Sequence, residues 1–202
     1  MADSPRKLIK DNKERATEMK NPSNDIKSIL VNEKEIEAMV TRIAAEIDRD
    51  YKDSDKKLLL LCILKGSVVF MGELMKKITL PVEIDFMKVS SYGAGTKTSG
   101  QINIMLDLYR NDMENIDIII IEDIIDSGRT LSHLKKYLDL KGANSVKTCT
   151  LLDKPSRREV EFIPDYVGCE IPDEFVVGFG LDFDEKYRNL PYIGILKEEA
   201  YS

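Results

Sequence analysis

The sequence predicts an α/β fold with a mostly parallel central sheet flanked by helices, and three observations predict it. Leu58–Leu64 (LLLLCIL) and Ile116–Ile121 (IDIIII) are short, almost wholly apolar runs without alternation, as strands covered on both faces are. Each is followed by a segment with helical spacing, and repeated strand–helix–strand order brings parallel pairing through crossover helices. The length, 202 residues, suits one domain with a full core or two very unequal pieces.

Residues 1–25 are polar, charged and nearly free of large apolar side chains, which predicts a mobile tail ahead of one domain over 26–202. Asn32 followed by Glu35 resembles a capping box. Ile36, Met39, Val40, Ile43, Ala44 and Ile47 then share one face of a helix over roughly 33–51. After the run ending at Leu64, Lys65-Gly66-Ser67 breaks the pattern, and Val68 to Ile78 resumes with helical spacing. Val82–Val89 reads as a strand, residues 90–100 (SSYGAGTKTSG) as a loop, and Ile102–Leu108 as another strand. Beyond Ile121 a short loop leads to a helix from about Thr130, lined by Leu131, Leu134, Tyr137 and Leu138, with Gly142 suited to its C-terminal cap. Val146–Leu152 is the next strand, and weaker strands are expected near 166–168, 175–179 and 192–196. Ligands of such sheets bind outside the carboxyl ends of the strands. The loops after Leu64, Ile121 and Leu152 should therefore share one rim.

Composition excludes several functions. No run of eighteen apolar residues exists, and the first residues lack a signal-peptide core, so a cytoplasmic location without a membrane partner is expected. Three cysteines, Cys62, Cys149 and Cys169, lie far apart without CxxC spacing, which argues against a disulfide framework or a zinc site. His133 is the only histidine and is expected on an exposed helix face with no role. A net charge of −6 gives no support for a nucleic-acid surface.

The chemistry concentrates in Ile118–Leu131, IIIIEDIIDSGRTL. An apolar strand ends in two acids, Glu122 and Asp123. Two aliphatic residues follow, then Asp126-Ser127-Gly128-Arg129-Thr130, and a helix begins. Gly128 permits a tight turn. Successive N–H groups from Ser127 to Thr130 at a helix N-terminus make a cradle for a phosphate, with the hydroxyls of Ser127 and Thr130 as further donors. Glu122 and Asp123 can accept hydrogen bonds from paired sugar hydroxyls, so one segment can grip both ends of a 5-phosphoribose. Neither a P-loop nor a dinucleotide fingerprint is present.

This segment resembles the phosphoribosyl-pyrophosphate signature of type I phosphoribosyltransferases. Four further blocks resemble the hypoxanthine-guanine members: LKGS at Leu64–Ser67, SSYG at Ser90–Gly93, LLDKPSRR at Leu151–Arg158 and the stretch Ile171–Gly194. The resemblance implies that fold, with a small hood made from the terminal segments. It implies conversion of hypoxanthine or guanine plus 5-phosphoribosyl-1-pyrophosphate (PRPP) to IMP or GMP plus pyrophosphate. Magnesium (Mg2+) is the implied cofactor, with Glu122, Asp123 and Asp182 toward it, and a homodimer or homotetramer is the implied assembly.

By the same resemblance, Asp126 is the general base toward purine N7, and Ser127, Gly128, Arg129 and Thr130 hold the 5-phosphate. Lys65, Gly66 and Arg188 meet the pyrophosphate, with a non-proline cis bond between Leu64 and Lys65. Ser91 and Tyr92 tip a loop that closes over the site. Lys154 reaches the 6-oxo group, Phe175 stacks on the base, the Val176 backbone faces position 2, and Asp182 completes this side of the site. A xanthine-preferring relative and a non-catalytic PRPP-sensing regulator that binds nucleic acid are the alternatives.

Overall fold

A computed structural model describes residues 22–91 and 102–202. In chain order the strands are β1 (Ile26–Val31), β2 (Lys57–Ile63), β3 (Val82–Ser91), β4 (Ile102–Leu106), β5 (Ile116–Ile125), β6 (Ser145–Asp153), β7 (Tyr166–Glu170), β8 (Val176–Val177) and β9 (Ile193–Leu196). The helices are α1 (Glu33–Tyr51), α2 (Val68–Met75) and α3 (Arg129–Leu140). Six strands form one sheet in the order β4-β3-β2-β5-β6-β7. It is parallel except for the edge strand β4, which runs antiparallel to β3. A second, antiparallel sheet, β1-β9-β8, joins the two ends of the described chain into a hood.

The apolar runs are continuous because both faces of the sheet are covered. Leu58, Leu60 and Cys62 of β2 and Ile119 and Ile121 of β5 pack toward α1 and α2, against Ile36, Val40, Ile43 and Phe70. The alternate residues Leu59, Leu61, Ile63, Ile118 and Ile120 pack toward α3, against Leu131, Leu134 and Leu138. Burying each such side chain contributes about 1.5–3 kcal/mol. The one polar residue in the Ile116–Ile121 run, Asp117, is 4% exposed and accepts hydrogen bonds from Asn144, Ser145 and Ser54 at 2.7, 2.5 and 2.9 Å. The capping box forms as its sequence predicts: Asn32 Oδ1 accepts from Lys34 and Glu35 N–H, and Asn32 N–H donates to Glu35 Oε2 at 2.8 Å. Cys62 and Cys149 are buried and Cys169 half-buried, all as free thiols. His133 lies exposed on α3, with Nδ1 2.8 Å from Arg129 O. Among the described residues no helix is long and apolar enough to cross a membrane.

Several boundaries differ from expectation. β5 does not stop at Ile121 but runs through Glu122 and Asp123 to Ile125, so the two acids sit within a strand. β3 continues to Ser91, which moves residues 90 and 91 out of the expected loop, while Tyr92 and the rest of the expected lid tip, with the Ser91 side chain, lie outside the described residues. α2 ends at Met75, three residues before Ile78. Of the expected tail, residues 1–21 lie outside the described chain, whereas Pro22–Asp25 form a short 3-10 turn tied to the hood by Lys197 N–H to Asp25 O (2.9 Å). β1 follows directly.

Candidate active site

The carboxyl ends of β2, β5 and β6 are adjacent and parallel, as Ile125 opposite Asp153 shows, so their loops share one rim. A cleft of about 300 Å³ opens there, lined by Leu64, Glu122, Asp126, Ser127, Gly128 and Thr130. A larger cleft, about 480 Å³, lies at the amino ends of β2 and β3 beside Lys57 and Glu83, away from these groups. Gly128 caps α3 with φ +77°, a left-handed conformation that a residue with Cβ resists. Two carbonyls of this loop, those of Asp126 and Ser127, are held by one neighbouring segment. Arg158 Nη1 donates to Asp126 O at 2.9 Å, and the N–H groups of Glu159 and Val160 donate to Ser127 O at 3.0 and 3.3 Å. Arg158 is itself paired with Asp153. Arg129 sends its guanidinium to Glu159 (2.6 Å), so what it can offer a phosphate is its backbone N–H, which meets Ser127 Oγ at 3.3 Å.

Two other loops close on β5. The cis bond expected between Leu64 and Lys65 is present. Gly66 lies so close to Asp123 that a Cβ would overlap Asp123 Oδ2, and a Cβ at Gly180 would overlap Gly66 O. The three segments are thus in mutual contact. Arg188 is anchored by Nη1 to Gly180 O (2.8 Å), and its Nη2 lies 2.8 Å from Asp182 Oδ1 and 3.1 Å from Glu185 Oε2. Lys65 Nζ is 2.8 Å from the other oxygen of Glu185. Gly66→Ala is expected to displace Asp123 and lower kcat/KM by about 10²-fold, the scale that a misplacement of about 1 Å within a site can cost. Steady-state kinetics beside a thermal melt check this, and wild-type activity in the variant would contradict the packing.

On the β6 side, Lys154 is 8% exposed and donates to Glu174 O at 3.0 Å, with its Nζ 3.7 Å from Asp126 Oδ1. Phe175 stands next to Glu174, and Leu196 N–H donates to Phe175 O at 2.8 Å. The ring of Tyr201 stacks on Phe175 at 4.7 Å and 17°, and Phe183 meets Phe175 edge-on at 5.6 Å. Val176 pairs with Ile195 within the hood. The structure therefore brings Lys65, Gly66, Asp182 and Arg188 together on one side of the Asp123 carboxylate, and Lys154 and Asp126 together on the rim. Arg158 with Asp153, Glu185 and Tyr201 were missed by sequence reasoning. Arg158 lies inside the LLDKPSRR block, which was its one available signal. The other two act through contacts that no local pattern announces.

The acidic pair is electrostatically unusual. Burial raises the Glu122 carboxyl well above its ordinary range, and the adjacent Asp123 adds to the effect. Burial raises Asp123 as well. Glu122 Oε2 is shut off from solvent and has no hydrogen-bond partner among the described residues. Among those residues no three His, Cys, Asp or Glu side chains form a group that could hold a metal ion. The two carboxylates of Glu122 and Asp123 are of the kind magnesium takes, one or two from the protein with water and substrate oxygens completing its shell.

A carboxyl whose pKa is raised on folding holds more protons in the native than in the unfolded state. The pair therefore costs stability increasingly as pH rises above the ordinary values of 4.5 and 3.8. Without PRPP or magnesium, Glu122→Gln is expected to flatten that loss and to raise the melting temperature at neutral pH by about 2–4 °C, for a relief on the order of 1 kcal/mol. A lower melting temperature at neutral pH would contradict it.

The family model described as the phosphoribosyl transferase domain matches residues 27–184. The hypoxanthine-guanine phosphoribosyltransferase of Streptococcus thermophilus strain CNRZ 1066 is 51% identical over 178 residues, covering 88% of this chain and 97% of the relative. That of Streptococcus agalactiae serotype V is 52% identical over 179 residues, covering 89% and 98%. The chain belongs to the hypoxanthine-guanine phosphoribosyltransferase family. Among solved structures, a hypoxanthine phosphoribosyltransferase from Staphylococcus aureus superposes with a TM-score of 0.84 at 47% identity, covering 92% of this chain and all of that one. A ternary substrates complex of a point mutant of the Trypanosoma cruzi hypoxanthine phosphoribosyltransferase superposes with a TM-score of 0.82 at 37% identity, covering 89% of this chain and all of that one. For this phosphoribosyltransferase, the family match spans every expected site residue except Arg188, which follows four residues beyond its end.

Proposed function

We propose that this chain transfers the 5-phosphoribosyl group of PRPP to N9 of hypoxanthine or guanine, giving IMP or GMP and pyrophosphate. The observation that carries the reading is the pairing of Lys154 Nζ with Asp126 Oδ1 at 3.7 Å beside the Ser127–Thr130 cradle. A 6-oxopurine presents O6 and N7 side by side on one edge. Lys154, a donor only, fits O6, and the Asp126 carboxylate fits a proton on N7. Adenine would set an amino donor against the ammonium. The T. cruzi relative was solved with its substrates bound together.

In this reading the cradle takes the 5-phosphate on backbone N–H groups at the N-terminus of α3. Glu122 and Asp123 lie beneath the ribose, where negative charge suits the positive character that develops as the anomeric C–O bond breaks. Phe175 stacks on the base and holds N9 toward that carbon. Asp126 accepts the N7 proton as N9 attacks. Lys65 and Arg188 take up charge on the departing pyrophosphate. Magnesium, held toward Glu122, Asp123 and Asp182 together with PRPP oxygens, would neutralise the diphosphate and favour its departure. Closure of the loop that carries Ser91 and Tyr92 would exclude water. Position 2 faces the Val176 backbone, so selection among hypoxanthine, guanine and xanthine is made there. A cytoplasmic location and a dimer or tetramer belong to the same proposal.

The test is a spectrophotometric assay with PRPP, magnesium and, separately, hypoxanthine, guanine, xanthine and adenine. Magnesium-dependent turnover with hypoxanthine and guanine, and none with adenine, is the expected result. Turnover with adenine alone would overturn the placement of Lys154. Tight PRPP binding with no turnover on any base would favour a sensor.

A further inference from the structure

Glu185 occupies an unfavourable backbone position and meets both cations of the pyrophosphate side at once. Phe183 and Lys186 exchange N–H to carbonyl bonds at 3.3 and 3.0 Å, closing a two-residue hairpin turn. Its central residues, Asp184 and Glu185, have φ of +50° and +60°. Such a turn favours glycine at its second central position, since a Cβ crowds the left-handed backbone. This chain places a glutamate there. Its N–H donates to Asp182 Oδ2 at 2.9 Å, which fixes the turn against the neighbouring acid. Its carboxylate then divides: Oε1 lies 2.8 Å from Lys65 Nζ, and Oε2 lies 3.1 Å from Arg188 Nη2. Those two cations pull the Glu185 carboxyl below its ordinary range.

We propose that Glu185 is a built-in stand-in for pyrophosphate, holding Lys65 and Arg188 together between turnovers and competing with the inorganic anion for them. The inference rests on the reading of Lys65 and Arg188 as the pyrophosphate-binding groups. A dianionic phosphate oxygen cluster and a carboxylate ask the same of an ammonium and a guanidinium: charge, and donors at hydrogen-bond distance. Pyrophosphate must therefore displace Glu185 to bind, and Glu185 returns as it leaves. The glutamate weakens product binding and speeds its release, which limits turnover in many enzymes. Its ion pairs are solvent-exposed and so individually weak, which suits a group that must let go on every cycle.

The test is calorimetric titration of inorganic pyrophosphate into the full chain at fixed magnesium, with the wild type, Glu185→Gln, Glu185→Gly and Arg188→Gln. Both Glu185 variants should bind pyrophosphate about three- to tenfold more tightly, as removal of two exposed ion pairs implies. Glu185→Gly also removes the unfavourable turn residue, so its melting temperature should be at or above the wild-type value. Tightening is a gain that damage to the fold does not produce. Unchanged or weaker binding in both Glu185 variants overturns the stand-in role. Arg188→Gln should weaken binding at least tenfold, as loss of a charge-assisted contact implies. If Arg188→Gln leaves pyrophosphate binding untouched, the underlying placement of the pyrophosphate site fails instead.

Discussion

Asp126→Asn is expected to lower kcat by about 10²–10⁴-fold, the range that general-base removal typically costs. The side chain is half exposed on the rim, and its backbone carbonyl, not its carboxylate, is what Arg158 holds. Asparagine keeps that bond and the shape of the loop but cannot accept the N7 proton. PRPP affinity, which the proposed reading assigns to the Ser127–Thr130 N–H groups and the acidic pair, should change little. Single-turnover kinetics with calorimetric PRPP binding separates the two quantities. Unchanged turnover would remove Asp126 from the base role, and lost PRPP binding would assign it to the sugar instead.

The second large effect is on selectivity. Lys154 is nearly buried, offers donors only, and is aimed by Glu174 O at the rim. Glutamine can present either a donor or an acceptor at the same place. Lys154→Gln is expected to reduce the preference for hypoxanthine over adenine, measured as a ratio of kcat/KM, by about 10²-fold or more. Sites that leave a buried polar group unpaired discriminate by up to about 10⁴–10⁵. A fall in both kcat/KM values with the ratio preserved would show that Lys154 supports the loop but does not read the base.

What the sequence revealed and what it hid follow from how local each cause is. Leu58–Leu64 and Ile116–Ile121 were legible as strands because covering both faces of a sheet leaves almost no polar position to obscure them, Asp117 excepted. The turn ahead of α3 was legible because its glycine and the following helix are contiguous. β1 was not, since its partner β9 is remote: Ile26 pairs with Leu196, and the strand is largely exposed. Glu122 and Asp123 read as a strand end because buried acids inside a strand oppose folding, yet β5 carries both before it ends at Ile125. The α2 boundary was missed because apolar spacing continues past Met75 while the helix does not. Glu185 was hidden by its neighbours, since nothing in Phe183–Lys186 announces two left-handed residues without a glycine. The stacking of Tyr201 on Phe175 joins positions that only the hood brings together.

The most direct test of the central claim is a phosphorus NMR time course of PRPP with magnesium and the enzyme, with and without hypoxanthine. The predicted result is conversion of the PRPP signals to free pyrophosphate and IMP in equal amounts, only when hypoxanthine is present. Persistence of PRPP in both samples, or its equal breakdown without a base, would contradict phosphoribosyl transfer to a purine.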